Sequence, residues 1–156
     1  ETYNLKMSKL VSDGNSIFFS NNKNEFYSIN VKVGAVNWIN KINSNIKPVT
    51  TGNLIFTISN NGYLYVIEKN NGNIIRITDL YKTYKIKERK NIFPLGFAIG
   101  NTNLFLANSD GKMIVVDISS GTIVKSEKVA SDQISEPFIL NNNLFIIRNG
   151  SIIQYN

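Results

Sequence analysis

Two side chains that carry much of enzyme chemistry are missing from this sequence altogether: it has no cysteine and no histidine. Without cysteine there are no disulfides, no thiolate nucleophiles and few routes to a zinc site, an absence compatible with the cytosol and with an oxidising compartment alike. Without histidine the commonest general base and metal ligand is gone, so Ser-His-Asp, Cys-His and His-metal chemistry are all excluded. Tryptophan occurs once and proline three times. No apolar run approaches the roughly eighteen residues that a membrane-spanning helix needs. Residues 1–11 do not resemble a signal peptide and there is no initiator methionine, so the sequence is expected to begin inside a longer or processed chain.

What is present is a chain of 156 residues, 42 % hydrophobic and only 18 % charged, long enough for one domain with a sizeable core. Asn and Ile dominate. The net charge of +6 invites a nucleic-acid or acidic-surface reading, but a Lys- and Asn-rich surface drifting with an AT-rich coding bias accounts for it, and no nucleic-acid partner is expected.

The informative feature is internal repetition. The stretch Gly62-Tyr63-Leu64-Tyr65-Val66-Ile67-Glu68, followed by Gly72-Asn73-Ile74-Ile75-Arg76, has near-copies before and after it. Phe18, Phe56, Phe105 and Phe145 recur at spacings of 38, 49 and 40, and Gly34, Gly72 and Gly121 repeat the first two of those spacings. Two independent anchors therefore share one register. Each unit is built of short Ile, Val, Leu, Phe and Tyr runs separated by Asn-Gly, Asp-Gly or Ser-Gly, which is strand-and-hairpin punctuation. Pro48, Pro94 and Pro137 precede the later units and should mark strand starts or edges. With one further strand expected around Ile46 to Thr50, each unit holds four strands in about 40 residues. That is the arithmetic of an all-β fold, a β-propeller of four-stranded antiparallel blades. The blades are placed at about residues 6–43, 44–92, 93–130 and 131–156, within a single partial propeller.

The run Tyr27-Ser28-Ile29-Asn30, then Val33-Gly34-Ala35-Val36-Asn37-Trp38, resembles the blade motif of the quinoprotein-like (PQQ-type) propellers, which reads aromatic-Ala-Leu-Asp, Thr-Gly and then Trp. In that family the tryptophan packs between blades, so Trp38, with Gly34, Gly72 and Gly121, is expected to be structural. Arg76 and Lys125 stand where the second and third units would carry it. Enzymes of the family grip a quinone with calcium ligands, and often a vicinal disulfide, neither of which is visible here. The resemblance therefore implies a nonenzymatic member without cofactor or metal, nearest to the outer-membrane assembly lipoproteins of the BamB type. It further implies a periplasmic, outer-membrane-associated scaffold that binds proteins, with any lipid anchor lying upstream of Glu1. A fragment of a quinone-dependent dehydrogenase and a ligand-sensing propeller are the competing readings.

A ring of this family has seven or eight blades, so about four blades look like half of one. The last unit stops where its outermost strand would begin, whereas residues 1–5 align with the tail of such a strand. Two solutions follow: a further half of the propeller, or a homodimer in which two copies complete each other.

One insertion breaks the repeat, eight residues longer between Arg76 and Pro94 than between Trp38 and Pro48. It carries Tyr81, Lys82, Tyr84, Lys85, Lys87 and Arg89, a basic and aromatic set expected to meet a protein partner or a membrane surface. Read as plain structure, Tyr84-Lys85-Ile86-Lys87 alternates like an edge strand. Asp110 and Asp117 are read as turn residues and not as metal ligands.

Overall fold

The computed structural model describes residues 7–21, 23–131 and 134–155. Two compact units divide the chain, Glu1–Ile77 and Thr78–Asn156.

Most of the first unit is two four-stranded antiparallel sheets. One runs in chain order through β1 (Val11–Asp13), β2 (Ser16–Ser20), β3 (Phe26–Asn30) and β4 (Val36–Asn40). The other runs through β5 (Val49–Thr51), β6 (Leu54–Ile58), β7 (Tyr63–Glu68) and β8 (Ile74–Asp79), its last strand crossing the boundary between the units. In the second unit a single helical turn, α1 (Ile86–Arg89), precedes the sheet of β9 (Pro94–Ile99), β10 (Asn103–Asn108), β11 (Lys112–Asp117) and β12 (Ile123–Lys128). A three-stranded sheet follows, of β13 (Phe138–Leu140), β14 (Asn143–Arg148) and β15 (Ser151–Tyr155). These are about four blades of a β-propeller.

The prolines fall as their chemistry requires. Pro94 opens β9, and Pro48 and Pro137 each sit one residue ahead of a strand, where no ladder N–H is missed. The four anchor phenylalanines occupy one register. Phe18 pairs with Ser28, Phe56 with Val66, Phe105 with Val115 and Phe145 with Gln154. The hairpins repeat too, since the N–H groups of Gly34, Gly72 and Gly121 donate to the carbonyls of Asn30, Glu68 and Asp117 at 2.9, 2.9 and 2.8 Å. At the two-residue hairpin before β15, Asn149 and Gly150 both adopt positive φ, 51° and 74°, the pair a type I′ turn demands.

The core of the first unit is Phe18, Phe26, Ile42, Ile55 and Ile67, where the first sheet lies on the second. In the second unit Ala107, Met113, Leu144 and Ile146 join the third sheet to the fourth, with Ala130 and Ile134 between them. Each Phe, Ile, Leu or Met among them contributes about 1.5–3 kcal/mol on burial.

Two expectations need correcting. The strand around Ile46 to Thr50 begins only at Val49, after Pro48. The stretch around Tyr84–Lys87 is not an edge strand but leads into α1, because Tyr84 is drawn into the core while Ile86, which alternation would bury with it, opens the helical turn exposed. Among the described residues the last sheet lacks a fourth strand. Residues 1–5, expected to complete a blade, lie outside the described residues.

Candidate functional site

The insertion that follows β8 is pinned by four polar contacts. Asp79 Oδ1 accepts from the Tyr81 N–H at 2.9 Å, and Asp79 Oδ2 pairs with the Arg89 guanidinium at 2.9 Å. Tyr81 is fully buried and its hydroxyl donates to Asn108 Oδ1 at 2.6 Å. Tyr84, also buried, donates to Asp110 Oδ2 at 3.0 Å and meets Tyr81 edge-on with centroids 5.4 Å apart. Lys112 Nζ stands 4.3 Å above the Tyr84 ring and 3.6 Å from Asp110, a cation shared between a ring face and a carboxylate. Burial raises both phenol pKa values above the ordinary tyrosine value, and for Tyr84 the neighbouring Asp110 charge adds to it. Both hydroxyls therefore stay neutral and keep their protons for these bonds.

Of the six residues singled out in the insertion, the structure brings three to the surface together. Lys82, Lys85 and Lys87 are exposed, joined by Lys90 and by Ile86 at 80 % exposure. Tyr81 and Tyr84 face inward and Arg89 is spent on Asp79, so these three hold the segment in place and do not form its outer surface. The spacing carried a signal of this. Two tyrosines three residues apart fall on one side of a turn, while Lys82 and Thr83 between them fall on the other. The result is a mainly cationic segment, held from within, whose exposed lysines flank Ile86 and the exposed Glu88.

The blade-packing residues occupy a second place. Trp38 lies on β4 and stacks with Phe18 and Phe26 at centroid distances of 6.0 and 5.9 Å. Its ring covers Gly72 so closely that a Cβ there would stand 2.6 Å from the indole, and its Nε1–H donates to the Lys69 carbonyl at 3.0 Å. Asn40 Nδ2 donates to the Gly72 carbonyl at 2.8 Å, closing the same seam. Gly34 has open space where its side chain would be, whereas Gly121 is buried. Both serve the hairpin turn described above.

Neither aspartate read as a turn residue stands apart from its turn. Asp110 Oδ1 accepts from the Lys112 N–H at 3.1 Å. Asp117 Oδ1 accepts from the Ser119 hydroxyl at 2.7 Å and from the Ser120 N–H at 2.7 Å, and these bonds lower its carboxyl pKa to about 2. An open groove of about 350 Å³ in the second unit is lined by Lys125, Lys128, Arg148, Ile146, Ile153 and Tyr155. Its cations are already engaged in part, Lys125 by Glu127 at 2.8 Å and Arg148 by the Val129 carbonyl at 2.7 Å.

Four-stranded antiparallel sheets, each placing one apolar face on the next within its unit, define a β-propeller. Residues 2–78 match the family model described as outer membrane protein assembly factor BamB. The crystal structure of BamB from Moraxella catarrhalis superposes with a TM-score of 0.72 at 11 % identity, over 94 % of this chain and 41 % of that one. The chain thus spans well under half the length of that protein. The computationally designed Ika4 protein superposes with a TM-score of 0.76 at 11 % identity, over 99 % of this chain and 92 % of that one. A europium-containing methanol dehydrogenase superposes at 0.64 with 13 % identity, over 80 % of this chain and 25 % of that one. Comparison with curated protein sequences finds no significant match. Over residues 2–78 the chain matches the PQQ-type repeat β-propellers, and the propeller fold occurs in assembly factors and in enzymes alike.

Proposed function

We propose that this chain is a noncatalytic protein-interaction scaffold acting as an assembly factor of the BamB type for outer-membrane β-barrel proteins. Its place would be the bacterial periplasm, held at the outer membrane by a lipid anchor or a partner. The observation that carries this reading is the family match over residues 2–78. The cationic segment supports it, because Lys82, Lys85, Lys87 and Ile86 are presented on a base fixed by Tyr81, Tyr84 and Arg89. Exposed strand edges offer a second mode, the addition of a strand from a partner or client.

The test is cross-linking in intact cells followed by recovery of the tagged chain, with Lys82→Glu, Lys85→Glu and Lys87→Glu combined as the variant. Outer-membrane assembly components should be recovered with the wild type and fall about tenfold with the variant, at unchanged circular dichroism. Cross-linking that recovers cytosolic proteins alone would sink the reading. Adding pyrroloquinoline quinone and calcium should leave the absorbance spectrum the sum of its parts. A protein-dependent spectral change would favour the dehydrogenase class, in which the fold also occurs.

A further inference from the structure

Folding changes what the insertion after β8 offers to a partner. Tyr81 and Tyr84 are buried and Arg89 pairs with Asp79 at 2.9 Å, so the side chains best suited to anchor a protein interface are withdrawn from its surface. What stays exposed is Lys82, Lys85, Lys87 and Lys90, together with Ile86 and Glu88. Lysine and glutamate are depleted in protein–protein interfaces, where aromatic side chains and arginine are enriched.

That surface fits a different partner. Ile86, 80 % exposed, is the most exposed large apolar side chain among the described residues. It opens α1, and Lys90, four residues on, closes the same turn. Lys85 and Lys87 flank it in the chain, and Lys82 lies four residues before it. The acids nearby do not cancel these charges. Asp79 is held by Arg89, and Asp110 by Tyr84 at 3.0 Å and Lys112 at 3.6 Å. Glu88 is left, its carboxylate accepting the Lys85 N–H at 3.3 Å. By contrast Val33, 74 % exposed between β3 and β4, has only Lys32 beside it in the chain. An apolar side chain set among long, flexible cations suits a bilayer surface, where it enters the acyl boundary while the ammonium groups stay among the phosphates.

We propose that residues 82–90 bind the surface of an anionic phospholipid bilayer, with Ile86 at the headgroup boundary and Lys82, Lys85, Lys87 and Lys90 on lipid phosphates. The contacts of Tyr81, Tyr84 and Arg89 hold the segment in this form beforehand, which lowers the ordering cost of docking. Within the assembly-factor reading the segment then keeps the scaffold at the membrane and leaves protein contacts to the strand edges. The lipid contact itself needs only an anionic bilayer and does not depend on that reading.

Sedimentation of the 156-residue chain with vesicles tests it. The chain should pellet with vesicles of phosphatidylcholine and phosphatidylglycerol in equal parts, stay in solution with phosphatidylcholine alone, and be released by added salt. Lys82→Gln, Lys85→Gln and Lys87→Gln combined should weaken binding about tenfold or more. Lys32→Gln, Lys41→Gln and Lys47→Gln combined remove the same charge from exposed positions of the first unit, and should change binding less than about twofold. Because the chain has no cysteine, Ile86→Cys can carry an environment-sensitive dye as its sole label. Its emission should shift to the blue on the mixed vesicles, whereas the same dye on Val33→Cys should not respond. Equal binding to phosphatidylcholine alone, equal losses in the two triple variants, or equal dye shifts at the two positions would overturn the proposal. Absence of vesicle binding would overturn it too. If changing the same lysines still cost the recovery of assembly components from cells, they would belong to a protein contact and the assembly-factor reading would stand.

Discussion

The same repeat position is filled by Trp38 in the first unit and by Lys125 in the second, and the two build very different seams. Trp38 lies opposite Ser28, just as Lys125 lies opposite Val115, and both follow a register shift at that point of the ladder. The indole reaches across to the next sheet, covers Gly72 and bonds the Lys69 carbonyl. The ammonium instead stands 5.7 Å from the Tyr155 ring centroid and pairs with Glu127 on its own strand. A large ring on a bare glycine excludes water from the seam. A half-exposed lysine leaves it wet, and the second unit relies more on polar anchors such as Tyr81 and Tyr84. One repeat thus supports two kinds of cohesion.

Breaking the aromatic seam should produce the largest effect. Gly72→Val forces a branched side chain into the indole at a φ of 77°, and should cost about 4 kcal/mol through backbone strain and lost ring contact. A urea midpoint within error of wild type would show that the ring yields freely. Trp38→Ala keeps the backbone and removes the ring, at about 3 kcal/mol, the low end of the usual range because the indole is only partly buried. In the second unit Tyr81→Phe leaves Asn108 Oδ1 without its donor inside the core, for about 1–2 kcal/mol in the same assay. Lys125→Ala should cost about 0.5 kcal/mol or less, and its loss with added salt should be smaller still. If Lys125→Ala matched Trp38→Ala, the two seams would be equivalent and the contrast would fail. The smallest effect is a pH dependence. Hydrogen bonds from Ser119 and Ser120 hold the Asp117 pKa below its ordinary 3.8, at about 2. Its folded-state preference is therefore present above pH 3.8 and disappears as pH falls through about 2. A carboxyl NMR titration of Asp117 with a midpoint near 4 would show those bonds absent in solution.

Much of this fold was legible before any coordinates, because hairpin chemistry and hydrophobic alternation are local. Asn149-Gly150 demands a tight turn wherever it sits, and the recurrence of Phe18, Phe56, Phe105 and Phe145 sets the strand register. The family motif implied that Trp38 packs between blades, but not that its ring would cover Gly72. What stayed hidden depends on partners distant in sequence. The spacing of Tyr81 and Tyr84 puts both on one side of a turn, but nothing local names Asn108 and Asp110, 26 residues or more away, as the acceptors of their hydroxyls. Once they do, the local alternation around Lys85 no longer describes a strand, and the candidate site shrinks to its lysines.

Each sheet completes its own ladder, and none of the strand pairings described joins one sheet to another. The consequence is genetic as much as structural. A duplication or deletion of one whole repeat severs no strand pairing in those that remain, and needs only an apolar face to meet another of the right kind. A chain built this way can change its number of repeats in single events, so length itself becomes a variable open to selection.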